Sequence, residues 1–344
     1  LDAALAAIAS HAGAVVVEDH PLPFARDPAR RLADVAPCAV LAVDASCVAP
    51  MRMVDDDAVD RAFKFRKATK ALYKARLPLE IERAGRPASP ADPAALGVAL
   101  SDWRAPVDAL IGSMAIDHAV GPVPHTPGGM AAAQARWAAF RDGAGLAAYA
   151  AKRNDALIDG VSRLSPYLRW GMIAPFQVAR EAQAKGGAGA DKFLDELLIW
   201  REMAWAWAWR TADPDAYADV TPDWAQESFA RRRDDRRPML LDAEALARAD
   251  SGDAFWDAAQ ASLLIQGELH NNVRMTWGKA PISWSTDPET ALRRILDLNH
   301  RYALDGLDPN SYGGILWCFG QFDRPFDPEE PITGRVRGRS TAIH

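Results

Sequence analysis

The sequence predicts a short α/β segment followed by a much larger all-helical domain, and three features carry that expectation. Two apolar runs, Ala14-Val15-Val16-Val17 and Val40-Leu41-Ala42-Val43, flank a polar helical stretch around Pro28–Ala33, as parallel strands joined through a helix would. From Met130 onward the apolar residues recur almost wholly at helical spacing. With 344 residues, 49% of them hydrophobic, the chain can bury a large core in two domains. The expected division is 1–52 for the α/β part, 53–129 for a connector with a basic helix and Pro/Ala-rich linkers, and 130–344 for the helical domain.

Composition narrows the function classes. No apolar run is long enough to span a bilayer and no secretory segment opens the sequence, so no membrane role is expected. Cys38, Cys47 and Cys318 are too widely spaced for a disulfide framework or a zinc pattern; no metal is expected, and a cytoplasmic location is. A net charge of −6 argues against non-specific nucleic-acid binding by the whole molecule but leaves room for a local basic face. The twelve tryptophans are, one by one, best read as core.

Taken in order, Leu1–Ser10 reads as a helix. Arg61–Arg76 is a basic helix whose Lys64, Arg66, Lys67, Lys70 and Lys74 read first as a solvated face. Arg86–Ala95 and Gly121–Gly129 are connectors. In Ser162-Arg163-Leu164-Ser165-Pro166, either serine can open a helix and offer a hydroxyl and free N–H groups to a pyrophosphate, although such a start is common in helical proteins. Gly186–Gly189 reads as a loop, unlike a dinucleotide fingerprint. Glu196 and Trp200, four apart, share a helical face, and an acid beside an indole there serves either a salt bridge or a polar ligand. Trp205-Ala206-Trp207-Ala208-Trp209 alternates like a strand but sits in a helical context and reads as core helix. Arg231, Arg232, Arg233, Arg236 and Arg237 make the densest basic run; the interleaved Asp234 and Asp235 favour a salt-bridged loop over a phosphate-contacting edge.

The most informative stretch is Gly267–Trp317. A helix carries Asn271, Arg274, Met275 and Trp277, and Thr286 or Asp287 with Pro288 starts a second. Leu304–Gly314, rich in Asp, Asn and Gly, reads as an irregular loop at a ligand site.

Arg274-Met275-x-Trp277, then Trp284, then Leu298-Asn299-x-Arg301-Tyr302-x-Leu304-Asp305-Gly306-x-Asp308-Pro309-Asn310, resembles the flavin-binding core of the cryptochrome/photolyase family. The class II cyclobutane pyrimidine dimer photolyases are the nearest pattern, with further matches at Ser162–Gly171 and Phe193–Glu202. The resemblance implies that 1–52 is the last part of an α/β antenna domain, with its other strands upstream and some C-terminal residues absent. It implies FAD, with Tyr149, Ser162, Leu164 and Ser165 on its phosphates and ribityl chain. Asn271 and Arg274 would line the isoalloxazine, Asp305 and Asp308 its opposite edge, and Asn299 would donate near the reactive nitrogen. It further implies light-driven repair of a flipped-out pyrimidine dimer in UV-damaged DNA by a monomeric lyase. Glu196, Trp200, Met275, Asn299 and Trp317 would form the catalytic set, Trp256, Trp277 and Trp284 an electron path, and the arginine run of 231–237 the DNA contact. Departures are Ser46-Cys47 where the pattern has His-Asn, and Phe322-Asp323 and Phe326 where it has His-Asp and Trp. The rival expectations are a cryptochrome-like receptor with FAD and no repair, a photolyase for the other pyrimidine photoproduct, and a helical nucleic-acid binder without flavin.

Overall fold

The computed structural model describes residues 2–79, 96, 102 and 104–343, so the expected connector Arg86–Ala95 lies outside the described residues. The α-helices in chain order are α1 (Asp2–Ala9), α2 (Pro23–Val35), α3 (Ala62–Arg76), α4 (Val107–Gly112), α5 (Met130–Asp142), α6 (Ala144–Lys152), α7 (Ser165–Arg169), α8 (Pro175–Lys185) and α9 (Gly187–Leu194). They continue as α10 (Glu202–Arg210), α11 (Tyr217–Val220), α12 (Asp223–Arg231), α13 (Ala243–Ala247), α14 (Ala254–Gln266), α15 (Asn271–Lys279), α16 (Pro288–Tyr302) and α17 (Pro309–Trp317). Packing divides the chain into two units, Leu1–Ala45 with Leu79–Pro122, and Ser46–Pro78 with Val123–His344.

The first unit holds the two strands, β1 (Ala14–Glu18) and β2 (Ala39–Val43), which pair in parallel with Ala14 opposite Ala39 and Glu18 opposite Val43. The helix between them is α2, started by Pro23 in its first turn, where a missing N–H costs nothing. Asp2 of α1 pairs with Arg31 of α2 at 3.1 Å. The observed architecture is thus a small parallel β-sheet portion followed by a large, predominantly α-helical domain. No helix is long and apolar enough to cross a membrane among the described residues.

The second unit is helical, and local chemistry sets its boundaries. Asp253, Asp287 and Asp308 cap α14, α16 and α17 through side-chain oxygens that accept from backbone N–H groups two or three residues on. His270 does the same for α15, accepting from Asn272 N at 3.2 Å. Gly267, at φ 65°, ends α14 in the left-handed conformation that favours glycine.

Two expectations need correcting. Leu304–Gly314 is not a loop throughout: Asp308 caps and Pro309 starts α17, so Pro309–Gly314 is helical. Gly313 faces α10, where an added Cβ would meet the Ala204 Cβ at 2.8 Å, so it permits the close α10–α17 crossing rather than a turn. Gly186–Gly189 likewise is mostly helix, because α9 begins at Gly187. A Cβ on Gly189 would sit 2.0 Å from the Leu146 carbonyl oxygen, so this glycine lets α9 lie directly on α6.

α9 runs through a π-helical turn, Asp195–Arg201, into α10. Such turns occur disproportionately at functional sites, and this one carries both Glu196 and Trp200. The tryptophan-rich α10 is buried helix, with Trp205 2% and Trp207 8% exposed. The segment after Ala45 is held by backbone contacts: Arg201 Nη1 donates to Ser46 O at 2.7 Å, and Val48 N and Ala49 N donate to Glu202 at 2.7 and 2.9 Å. None of these contacts uses the Ser46 or Cys47 side chain, so the departure from His-Asn leaves this anchorage intact.

Candidate functional site

α15 organises the site by presenting different side chains to its neighbours. Arg274 points to α17 and the turn that precedes it. Its Nη2 donates to Asp305 Oδ1 at 2.9 Å and its Nη1 to Ser311 Oγ at 3.0 Å. Arg274 and Asp305 are 8% and 7% exposed. Removing one partner of such a buried pair typically costs about 3–5 kcal/mol, because the other charge is left desolvated and alone. Asn299 of α16 donates from Nδ2 to the same Ser311 Oγ at 2.9 Å.

Two acceptors in this cluster have no hydrogen-bond partner among the described residues: Asn299 Oδ1 and Asp308 Oδ2. Their residues are 0% and 4% exposed. Burial pushes the Asp308 carboxyl above the usual carboxylate range, with the Arg201 charge opposing. Buried oxygens are nearly always paired in native proteins, so these two mark a place for a ligand with hydrogen-bond donors. A flavin ring and its ribityl hydroxyls carry such donors, and the residues present therefore fit that group. Asn299 lies in the cluster with its nitrogen turned to Ser311, and the end left over is an acceptor, where the expectation was a donor.

The remaining cofactor-side candidates are more scattered. Tyr149 of α6 is 9% exposed, stands edge-on to Phe140 and Phe193, and has the Arg153 guanidinium 5.9 Å from its ring centroid. Leu164 is buried, Ser162 half-buried and Ser165 exposed, and neither serine hydroxyl has a partner among the described residues. Between them Arg163 adopts φ 54°, a strained backbone for a side chain of this size, and donates to Glu268 at 2.8 Å. Asn271 opens α15 and is exposed.

On the other side of α15, Trp277 stacks on Trp256 of α14 with centroids 6.1 Å apart, and Trp256 meets Trp284 edge-on at 5.8 Å. Trp256 Nε1 donates to Trp277 O at 2.9 Å, and Trp277 Nε1 to Gln260 Oε1 at 3.0 Å. The structure brings all three predicted tryptophans into one line, with Trp256 between the other two.

The candidates for substrate contact are less tightly grouped. Met275 lies next to α17, its Cε 3.7 Å from where a Gly314 Cβ would sit. Trp317, half-buried, has the buried Lys279 ammonium 4.8 Å from its ring centroid. Burial lowers the Lys279 pKa, and its Nζ donates to Arg337 O at 2.7 Å. Trp200 and Trp317 make no ring contact with each other among the described residues. Glu196 is paired at 2.7 Å with both Arg153 and Lys192, the geometry of the salt-bridge alternative. Phe322 packs edge-on against Trp207 at 5.8 Å, and Phe326 lies between the Arg324 and Arg337 guanidinium groups.

Within the basic run, Arg231 and Arg232 each close on one oxygen of Glu329, at 3.0 and 2.8 Å. Arg233 is exposed beside Asp234 at 3.6 Å, Arg236 is exposed, and Arg237 is half-buried. On α3, by contrast, Lys67, Lys70 and Lys74 are exposed and enter no ion pair among the described residues.

Sequence reasoning missed Ser311, His300, Gln260 and Arg153. His300 Nδ1 accepts from Leu307 N at 3.2 Å, and burial pushes its pKa down to about 4, so the ring is neutral. His270 contacts through both nitrogens: Nδ1 caps α15 and Nε2 meets Arg153 O at 2.9 Å.

Comparison with known proteins now places the fold. The chain is 36% identical over 187 residues to a deoxyribodipyrimidine photo-lyase of Methanothermobacter thermautotrophicus, covering 54% of this chain and 41% of the relative. It superposes on a class III photolyase from Agrobacterium tumefaciens with a TM-score of 0.61 at 19% identity, covering 90% of this chain and 62% of that one. A cryptochrome from Synechocystis sp. PCC6803 gives a TM-score of 0.64 at 16% identity, covering 95% and 65%. The chain is thus similar in sequence to deoxyribodipyrimidine photo-lyases over about half its length, and its fold is that of the photolyase and cryptochrome structures. No family model matches it. The chain spans about two fifths of the length of that relative.

Proposed function

We propose that this chain belongs to the cryptochrome/photolyase superfamily and is a flavin-dependent, light-driven DNA repair enzyme of the class II type, splitting cyclobutane pyrimidine dimers. The observation that carries the reading is the tryptophan line Trp277–Trp256–Trp284, which begins on the same helix as the buried Arg274–Asn299–Asp305 cluster. Core packing alone asks for buried indoles; it does not ask for three in sequence beside a polar cluster with unpaired buried acceptors. Similarity to a photo-lyase over 54% of the chain supports the same reading.

The cofactor in this proposal is FAD, which when bound and reduced supplies an electron on absorbing light. The chain's own residues do the rest. Arg274 brings a fixed positive charge to the ring edge, oriented by Asp305 and Ser311. Asn299 and Asp308 would offer their unpaired oxygens to donors of the ring and its chain. Trp277, Trp256 and Trp284 relay an electron through van der Waals contact, with Gln260 holding the first indole N–H. Met275, Trp200 and Trp317 form the apolar wall for a dimer lifted out of the duplex, and Glu196, oriented by Arg153 and Lys192, supplies the polar contact to a base edge. His270 is engaged at both nitrogens and His300 is held neutral by burial, which together argue against repair of the other photoproduct. Exposed Lys67, Lys70 and Lys74, together with Arg233 and Arg236, supply the local positive charge for a DNA backbone.

The closure of Glu196 by Arg153 and Lys192, together with Phe322 and Phe326, favours a second reading: a cryptochrome-like photoreceptor that binds FAD without repair. Illuminating flavin-loaded, reduced protein with a dimer-containing oligonucleotide separates the two. Loss of dimer supports the repair reading; a light-responsive flavin with no dimer loss supports the photoreceptor.

A further inference from the structure

Ser311 joins side chains from two different helices. Its Oγ accepts from Arg274 Nη1 at 3.0 Å and from Asn299 Nδ2 at 2.9 Å, on a residue 2% exposed. Those two bonds fill both acceptor positions of the hydroxyl. Its hydrogen has no acceptor among the described residues.

The neighbours decide which way the Asn299 amide faces. Its Nδ2 also lies 3.5 Å from His300 Nδ1, and that ring nitrogen is an acceptor because it receives the Leu307 N–H at 3.2 Å. Turning the amide over would let Oδ1 accept the Ser311 hydrogen, but it would also set Oδ1 against an acceptor at His300 and leave both amide hydrogens buried without partners, the larger loss. The orientation with Nδ2 on Ser311 and His300 is therefore favoured, and it leaves Oδ1 fully buried and unpaired.

We infer that Ser311 is a positioning residue of the ligand site: with His300 it fixes the Asn299 amide so that its oxygen, not its nitrogen, meets the ligand. The inference rests on the flavin reading above. It changes what the site selects, because an acceptor at this point favours a ring nitrogen that carries hydrogen. Asn299 alone could present either end.

The test titrates the full chain with FAD as wild type, Ser311→Ala, Asn299→Ala and the double variant. Ser311→Ala should weaken FAD binding about five- to tenfold, the effect of one ordinary buried hydrogen bond. On the Asn299→Ala background the same change should cost about twofold or less, since there is no amide left to orient. Equal effects on both backgrounds, or none on the wild type, overturn the inference while leaving flavin binding intact. A wild type that binds no FAD removes the flavin reading itself and this inference with it. Should Asn299→Ala hold too little FAD to titrate, the redox midpoint of flavin bound to Ser311→Ala decides. A lowered midpoint with the melting temperature kept, and restored in Ser311→Thr, supports positioning; an unmoved midpoint refutes it.

Discussion

Trp256 lies against Trp277 with the two ring planes 11° from parallel and centroids 6.1 Å apart, and its Nε1 donates to the Trp277 carbonyl. The hydrogen bond and the stack fix each other, so neither indole can turn without breaking a buried contact. Trp256 alone touches both other members of the line.

On the proposed function, Trp277→Phe and Trp256→Phe should each stop photoreduction of oxidised flavin, since phenylalanine is far harder to oxidise than indole. Repair by pre-reduced protein should survive in both. Trp277→Phe also strands the Gln260 oxygen, costing about 1–3 kcal/mol of stability. Absorbance during illumination checks the first point and thermal melting the second. Photoreduction at the wild-type rate in Trp256→Phe would remove the line from the mechanism.

Glu202 predicts a pH dependence of folding. It is 1% exposed, and burial raises its pKa from 4.5 to about 7. The Tyr73 hydroxyl lies against both Leu198 O and Glu202 Oε2, and its single hydrogen cannot serve both. A proton on Glu202 resolves that conflict by donating to the tyrosine oxygen. The native state thus holds this proton over a range where the unfolded chain has lost it. Its contribution is complete below the unfolded value and is lost as pH rises through the native one. Stability should fall by on the order of 3 kcal/mol across that window. Melting of Glu202→Gln against wild type checks it: the variant, which cannot titrate, should lose this slope. An identical slope would place the titration elsewhere.

Much of the architecture was legible because it is local. β-branched runs gave the strands, and Asp287 with Pro288 gave the start of α16. Asp308 and Pro309 carried the same signal, but the glycines that follow masked the helix; their role is to admit Ala204 of α10, which no local pattern reveals. Gly189 is hidden for the same reason, being a crossing point with Leu146 of α6. At the site, motif residues stood out by type, and the residues that orient them did not. Ser311 is an ordinary helix serine until Arg274 and Asn299, 37 and 12 positions away, fold onto it. Glu329 lies 98 residues from Arg231, so nothing in the basic run announced its neutralising partner.

That partner makes a prediction about DNA. Affinity for damaged duplex should fall with added salt despite the acidic total charge, because local cations displace phosphate counterions. Arg231 and Arg232 already meet Glu329, so Arg231→Ala should change the salt slope little. Arg233→Ala and Arg236→Ala should each reduce it by about one phosphate contact. Glu329→Gln should strengthen binding and steepen the slope by freeing both guanidinium groups. Titrations at several salt concentrations check all four; a slope unmoved by Glu329→Gln would place the DNA away from this edge.

Glu196 tests repair itself. Its carboxylate is held at 2.7 Å by Arg153 and by Lys192, the second four residues back on the same helical run. Arg153 is tied down in turn, because its carbonyl meets His270 Nε2 at 2.9 Å. The two ion pairs therefore fix the direction of the Glu196 side chain. Glu196→Gln keeps the volume, removes the charge, and turns one oxygen into a donor facing two cations. If Glu196 serves only the ion pairs, the variant loses about 0.2–1 kcal/mol of stability, the range for partly exposed pairs. In that case repair yield per bound dimer is unchanged. If it meets the dimer, damaged-DNA affinity falls by about 0.5–1.5 kcal/mol and the yield per photon falls with it, because stabilisation of charge arriving on the dimer is lost. Melting temperature and quantum yield measured on the same preparation separate the two, and an unchanged yield would take Glu196 out of the catalytic set.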